Sequence, residues 1–296
     1  MPWGAAIKLG VWVGAFLVFG SGVFAQSAEF ISSFTWSTGD PDLGGLSALE
    51  VTDRGTSFIA LSDRAQVIHG QLSRDPQGRI SDIQHHLKKL PRGRDFDRRW
   101  GYWDSEGLAV TPDGEVYISF EGSHLVVRYR DFVAFGHELP RPDMFDGLEG
   151  NGSLEAVAVD AAGNVFTLPE RSGNLNRPFP VFRFDGTSWT QPFRIQRKTG
   201  FLAVGADFGP DGRFYLLERR FDGPWGFSTR VRSFEIAGDD IGDERHHLTT
   251  TSGTHDNLEG LSVWKDATGA LRLTMISDNN FRSLQRTEIV EYRINP

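Results

Sequence analysis

The chain has 296 residues, 39% of them hydrophobic and 24% charged, which is typical of a globular protein with a sizeable core and excludes a disordered chain. Its formal net charge of −8 argues against a general surface for nucleic acid or anionic membrane, so no nucleic-acid partner is expected. The absence of cysteine excludes disulfides, thiolate nucleophiles and cysteine-ligated zinc.

The N-terminus differs from the rest of the chain. A single positive charge precedes an apolar run at residues 9–19, and Val23-Phe24-Ala25 has the small residues of a signal-peptidase site. We predict that residues 1–25 are a secretory signal and residues 26–296 one periplasmic or secreted domain. The run is shorter than the ~20 residues that span a bilayer, so no membrane contact is expected after cleavage. An uncleaved N-terminal anchor is the alternative.

A β-rich segment at residues 30–36 comes next, and it stands outside the repeats that follow. A single strand at the start of a repeat protein leaves a sheet edge unpaired unless it joins another sheet. We expect this segment to pair with the last repeat, which has no fourth strand of its own, and so to close a ring.

Five repeats of about 50 residues organise the remainder. Each has a polar or acidic start, an apolar strand, a glycine turn, a second strand and an acid at its end. Aligned on Leu46, Leu108, Val157, Ala206 and Leu261, the repeats are 62, 49, 49 and 55 residues apart. Third strands are expected near residues 66–72, 125–130, 181–184, 230–236 and 288–294, and fourth strands near 80–87, 189–195 and 245–250. This spacing predicts an all-β, five-bladed β-propeller with four strands per blade. A sixth blade between Ser73 and Asp104 is the alternative.

The repeats place acids at two register points, which a ring would gather at one mouth of its central channel. The set at the first strands is Glu106, Glu155 and Glu259, with Gly45 and Val204 as exceptions. The set at the ends of the second strands, read as having no exception, is Asp63, Glu121, Glu170, Glu218 and Asp278.

Converging carboxylates need a positive partner, because they repel one another. Ca²⁺ is one candidate, since it accepts six to eight oxygen ligands in irregular geometry, and we predict it as the cofactor of the acid sets apart from Glu218. Arginine is the other: Arg64, Arg171 and Arg219 directly follow acids, Arg220 follows Arg219, and Arg282 comes four residues after Asp278. These arginines are predicted to bind the anionic substrate. They could equally be salt bridges between blades, and the acids could simply cap loops.

Glu218, His124 and His255 are the candidates for proton transfer, since the two histidines are predicted in loops beside Glu121 and Glu259. His85, His86, His246 and His247 are expected at the rim. The chain contains no G-x-S-x-G, P-loop or H-E-x-x-H motif.

Several motifs resemble the phytase-like domain family of exported bacterial proteins, which carry the label of esterase-like activity of phytase. They include Gly44-Gly45-Leu46-Ser47-Ala48-Leu49-Glu50, Leu61-Ser62-Asp63-Arg64, Leu217-Glu218-Arg219-Arg220-Phe221, Asp256-Asn257-Leu258-Glu259-Gly260 and Ser277-Asp278-Asn279-Asn280-Phe281. The resemblance implies a propeller, export, and an acidic mouth where calcium activates water and binds phosphate.

Three functions stay open at this point. The leading hypothesis is a calcium-dependent phosphoric-ester hydrolase that acts, as a monomer, on a small anionic or ester substrate. A lactonase or carboxyl-esterase would use the same metal and water. A non-enzymatic periplasmic binding or scaffold propeller would use the metal for stability only.

Overall fold

The computed structural model describes residues 28–91 and 104–294, together with Met1. The predicted signal segment lies outside the described residues, apart from Met1. Within the described residues, no helix has the length and hydropathy needed to cross a membrane.

Five four-stranded antiparallel sheets follow one another along the described chain. Blade I contains β2 (Leu46–Thr52), β3 (Ser57–Ser62), β4 (Gln66–Arg74) and β5 (Ile80–Lys89); blade II contains β6 (Ser105–Val110), β7 (Val116–Phe120), β8 (Leu125–Tyr129) and β9 (His137–Glu138). Blade III contains β10 (Leu154–Val159), β11 (Val165–Pro169), β12 (Phe179–Phe184) and β13 (Trp189–Ile195); blade IV contains β14 (Leu202–Phe208), β15 (Phe214–Phe221), β16 (Phe227–Ala237) and β17 (Asp240–Thr249). Blade V contains β18 (Leu258–Lys265), β19 (Leu271–Ser277), β20 (Glu288–Ile294) and the N-terminal β1 (Ala28–Thr35). Single 3-10 turns lie at Asp143–Phe145 and Gly223–Trp225.

The predicted five-bladed propeller is confirmed, and so is its closure by the N-terminal strand. β1 runs antiparallel to β20, from Ala28 opposite Ile294 to Thr35 opposite Glu288. The alternative of a sixth blade between Ser73 and Asp104 is wrong, because Ser73 lies in β4 and residues 80–89 form β5 of blade I. Residues 92–103 lie outside the described part.

The glycine turns between first and second strands form as the sequence predicts. Gly114, Gly163, Gly212 and Gly269 each donate their N–H to a carbonyl three residues earlier, at 2.8 to 3.0 Å. Their φ angles of 78° to 88° are in the left-handed region, which glycine adopts without steric cost. The repeated turn gives successive blades the same first hairpin.

Apolar residues pack between blades, and five buried clusters each join two neighbours. Trp264 of blade V packs with Leu49 of blade I, for example, while Phe145 packs with Phe182 and Trp189 near the junction of blades II and III. Burial of such faces is the main favourable contribution to folding, since the chain has no cross-links.

The strand register corrects one point of the repeat alignment. Leu49, three residues after Leu46, occupies the position of Leu108, Val157, Ala206 and Leu261. Leu46 instead pairs with Ser62 at the very start of its hairpin. The exceptions in the first-strand acid set are therefore Ser47, rather than Gly45, and Val204.

Candidate functional site

In each blade the pairing of the first two strands begins with a register irregularity, and the five irregularities lie together at the mouth of the ring. The irregularities lie between Leu46 and Ala48, Ser105 and Leu108, Leu154 and Ala156, Ala203 and Gly205, and Leu258 and Gly260. They contain five equivalent residues that we call the inner ring: Ser47, Glu106, Glu155, Val204 and Glu259. The residues that follow the paired ends of the second strands form what we call the outer ring: Asp63, Glu121, Glu170, Arg219 and Asp278.

The outer ring shows that the predicted place of Glu218 is wrong. Ala203 pairs with Glu218 as Leu154 pairs with Pro169 and Leu258 with Ser277, so the residue equivalent to Glu170 and Asp278 is Arg219. Side chains alternate along a strand, and a shift of one residue therefore moves Glu218 to the opposite face of its sheet.

Glu218 is fully buried inside blade IV between two arginines. Arg230 and Arg232 of β16 each donate two hydrogen bonds to its carboxylate, at 2.7 to 2.8 Å. Arg232 also contacts Glu244 of β17 at 3.1 Å. This arrangement satisfies both carboxylate oxygens and stabilises the sheet. Glu218 is separated from the mouth, so we withdraw it as a candidate for proton transfer.

Arg219 is the one cationic residue among the ten described ring positions. Its Nη2 lies 2.9 Å from Oε1 of Glu170 and 3.2 Å from Oε1 of Glu259, and its Nη1 donates to the Oδ1 of Asn257 at 2.6 Å. These contacts raise the pKa of the Arg219 guanidinium. The side of the mouth formed by blades III, IV and V is thus partly neutralised within the chain.

The opposite side of the mouth, on blade II, carries three carboxylates that form no hydrogen bond or ion pair with an arginine of the described residues. Asp104, Glu106 and Glu121 offer oxygen atoms that all lie within 4.8 Å of one another. Glu121 is held in place, because its Oε1 accepts the N–H groups of Gly152 and Ser153. Oxygen-only donors at this spacing suit a hard cation such as Ca²⁺. Sequence reasoning predicted Glu106 and Glu121 as ligands and missed Asp104, which directly precedes β6.

Burial and mutual repulsion raise the pKa of most ring carboxyls. Burial is the larger cause in each case: the pKa of Glu259 rises to about 8, that of Glu121 to about 7 and that of Asp63 to about 6. The pKa values of Glu106 and Glu155 rise well above the ordinary value, through burial and then through neighbouring carboxylates, while that of Asp278 is raised chiefly by burial. Without added positive charge, the mouth therefore takes up protons near neutral pH.

The remaining predicted substrate-binding arginines are dispersed around the mouth face. Arg171 is exposed and its Nε lies 3.0 Å from Glu170, whereas Arg220 pairs with Asp222 at 2.7 Å. The guanidinium of Arg64 stacks on Phe281, with Cζ 3.4 Å from the ring centroid. Arg282 is exposed in the loop between β19 and β20.

The two candidate histidines occupy different places. His124 lies in the turn after Glu121, and its Nδ1 is 2.8 Å from Oγ of Ser153, whose hydroxyl also donates to the Glu121 carbonyl. His124 therefore stays close to the mouth. His255 is buried against the outer strands of blade V, with Nε2 2.7 Å from the Tyr292 hydroxyl and its ring against Phe30. The structure does not bring His255 to the Glu259 carboxylate, although the two are only four residues apart.

A second pair of acids, not singled out from the sequence, lies deeper in the ring. Glu50 of β2 and Asp207 of β14 occupy the ring level of Ser262, and Asp207 Oδ2 accepts the N–H of Val263 at 2.6 Å. Burial raises the pKa of both groups, to about 7 for Asp207, and the Asp207 charge further raises that of Glu50.

Below the mouth, the first strands nearly touch. A Cβ atom added to Gly205 would lie 2.4 Å from the Glu259 carbonyl oxygen, and one added to Gly260 would lie 2.8 Å from the backbone of Ala48. The space left between the described first strands is a cavity of about 10 Å³. The expected open channel is thus a shallow cup that is closed at its base by glycine backbone.

The chain is therefore a five-bladed β-propeller, and its acidic candidate site lies on one face, at the start of the inner strands. The model of the phytase-like family, described as esterase-like activity of phytase, matches residues 41–281. The chain belongs to this family, as the sequence motifs predicted. No curated protein matches the chain significantly.

Two solved structures are similar to the chain at low sequence identity. An α-L-arabinofuranosidase from Podospora anserina, solved with cellotriose, is 10% identical, with a TM-score of 0.54 over 92% of this chain and 98% of that one. A virginiamycin B lyase from Staphylococcus aureus, solved as an inactive variant with quinupristin, is 15% identical, with a TM-score of 0.41 over 90% and 75% of the two chains. At 10% identity, the likeness to the arabinofuranosidase concerns the fold alone.

Proposed function

We propose that the protein is a metal-dependent phosphoric-ester hydrolase that holds Ca²⁺ on the blade II side of the mouth. The observation that carries the proposal is the cluster of Asp104, Glu106 and Glu121, whose oxygens lie within 4.8 Å of one another in a cup closed at its base. The family description, which refers to phytase, supports a hydrolytic function on esters.

The donor set fits a hard cation. Three carboxylates supply only oxygen, and the fixed Glu121 leaves the others free to adjust to an ion with irregular coordination. Glu155 and Glu259 belong to the same inner ring and add negative charge nearby. When bound, the ion would lower the pKa of a water ligand and offset charge on phosphoryl oxygens.

The residues of the chain have separate tasks in this proposal. Arg219 carries positive charge into the cup, held by Glu170 and Asn257, and it offsets negative charge that develops on the substrate. The backbone N–H groups of Gly152 and Ser153 keep Glu121 oriented. His124 is fixed through Ser153 beside Glu121 and is the candidate for exchanging a proton with the substrate.

We further propose that the mature protein is exported to the periplasm or the medium. The basic start, apolar run and small residues of the N-terminus support this.

The first test is calorimetric titration of Ca²⁺ into chelator-treated protein, followed by hydrolysis of p-nitrophenyl phosphate with and without the ion. Glu106→Gln and Glu121→Gln should each weaken Ca²⁺ binding at least about tenfold and abolish turnover, since each removes a ligand charge. The matched control is Glu235→Gln, an exposed glutamate of β16.

Three results would change the conclusion. Unaltered binding in both ring variants would place the ion elsewhere and refute the site. Hydrolysis of p-nitrophenyl acetate or simple lactones, but not of the phosphate ester, would favour the lactonase or carboxyl-esterase alternative. Ca²⁺ binding that raises the melting temperature without turnover on any of these substrates would favour a non-enzymatic propeller.

A further inference from the structure

A groove lies beside the acidic cup, between blades III and IV on the same face. It has a volume of about 870 Å³, and Arg171, Arg197 and Arg220 contribute to its walls. A hollow of about 230 Å³ continues it and shares Glu149, Arg171 and Gly173 with it. The groove is therefore large enough for a small organic molecule.

Arg197 distinguishes this groove from an ordinary basic surface. It lies in the loop between β13 and β14, is only 6% exposed, and donates from Nε to the carbonyl of Phe201 at 2.8 Å. Neither Nη1 nor Nη2 has a hydrogen-bond partner among the described residues. A buried guanidinium with two unpaired nitrogens is costly, and such groups are normally satisfied by another group.

The neighbouring charges leave the groove positive. Arg220 is paired with Asp222, whereas Arg171 shares the Glu170 carboxylate with Arg219, so both Arg171 and Arg220 contribute hydrogen-bond donors and the charge of Arg171 is incompletely neutralised. Glu149, the remaining acid of the lining, is exposed and accepts the N–H of Gly173. Arg197 is buried, and it has no ion-pair partner among the described residues. Salt screens a buried charge of this kind only weakly.

The rim of the groove is apolar. Leu175 and Phe221 line it, and both side chains are about two-thirds exposed, at 63% and 65%. Trp225, in the loop after β15, is exposed on the same face. Large apolar side chains that surround a positively charged floor suit a ligand with an anionic head and an apolar body.

We propose that this groove, with Arg197 at its floor, binds a small molecule that has a phosphate or phosphonate head and an apolar or aromatic body. The head accepts hydrogen bonds from Arg171 and Arg220 and neutralises Arg197, and the body lies against Leu175 and Phe221. A dianionic tetrahedral head matches several guanidinium donors better than a carboxylate does. This site is independent of the proposed Ca²⁺ centre.

Phenylphosphonate, which has no ester bond, is the probe that separates binding from hydrolysis. It is titrated calorimetrically into the full chain in chelator, in parallel with inorganic phosphate and benzoate. We expect phenylphosphonate to bind more tightly than either, because only it combines the dianion with the aromatic body. Equal affinity for phenylphosphonate and benzoate would overturn the assignment of the head group.

The decisive variant is Arg197→Met, which removes the charge and keeps an unbranched side chain. We expect phenylphosphonate binding to weaken by about tenfold or more, whereas the ligand-free melting temperature is kept or raised, since an unpaired buried charge is lost. Arg130→Gln, an exposed arginine at the end of β8, is the matched control. Unchanged binding in Arg197→Met, or an equal loss in the control, would overturn the proposal.

A second variant guards against a folding defect. Phe221→Ser alters an exposed side chain, so it should fold normally, weaken phenylphosphonate binding and leave inorganic phosphate binding unchanged. Equal weakening for both ligands, or no effect on either, would refute the apolar contact. Because all titrations are made in chelator and without turnover, failure here is distinguishable from failure of the Ca²⁺ centre.

Discussion

Replacement of Glu218 by glutamine should destabilise the protein strongly without disturbing the mouth. In the native chain this carboxylate accepts four hydrogen bonds from Arg230 and Arg232, which are 5% and 1% exposed. The amide keeps the shape but removes the charge and one acceptor. Two buried guanidiniums then share a partner that no longer compensates their desolvation.

Breaking a buried ion pair from one side costs about 3 to 5 kcal/mol. Arg232 retains Glu244, so we take the lower end, about 3 kcal/mol, for Glu218→Gln. For a chain of this length that corresponds to a melting temperature lowered by roughly 5 °C.

The assay is thermal unfolding followed by circular dichroism, with Glu235→Gln on the same sheet as control. Ca²⁺ binding to Glu218→Gln, measured well below its transition, should match that of the native protein, because Glu218 lies outside the rings. A melting temperature within about 2 °C of the native value would refute the buried-pair reasoning. A loss of Ca²⁺ binding with intact stability would return Glu218 to the mouth.

Three further outcomes follow from the mouth and its base. In chelator, the melting temperature should rise as the pH falls from about 8 to about 5. The pKa values of Glu259 and Glu121 are raised to about 8 and about 7, so the folded state binds more protons than the unfolded state in this range. Stability therefore declines as the pH increases from about 5 to about 8. Saturating Ca²⁺ should flatten this dependence, and a flat profile in chelator would contradict it. Arg219→Gln leaves Glu170 and Glu259 without their shared cation. The free energy of unfolding, measured in urea, should fall by on the order of 3 kcal/mol near pH 8 and by much less near pH 5. Equal losses at both pH values would contradict an electrostatic role for Arg219. Gly205→Val forces a side chain against the Glu259 carbonyl and should lower the yield of folded protein severely. The control Gly238→Ala lies at a turn with open space and should be tolerated, apart from a small cost in stability for its positive φ. Native-like melting of Gly205→Val would show that the base of the cup is open.

Much of the fold could be predicted from the sequence because its signals are local and repeated. The glycine turns and the apolar strands recur at similar distances, and β1 was identified as the closing strand because blade V lacks a fourth strand of its own. The acids of blades I, II, III and V were identified for the same reason, since each directly follows the end of its second strand.

Blade IV shows why the rest could not be predicted. β15 continues without a break to Phe221, whereas the other second strands end at or before the acid. Pattern alone therefore aligned Glu218 with the acids, and only the pairing of Ala203 with Glu218 reveals the shift to Arg219. Asp104 precedes any repeat signature, and Arg197 lies in the loop between β13 and β14, outside the repeated strands.

The closed base of the ring has a consequence for the order of events at the mouth. Because only about 10 Å³ of space remains beneath the cup, a ligand enters and leaves it through the same opening, on the face of the rings. Whatever molecule enters over the outer ring must depart before the next can enter, so a spent ligand should compete directly with a fresh one. Entry and exit therefore share one opening, on the face where Arg64, Arg171 and Arg282 are exposed.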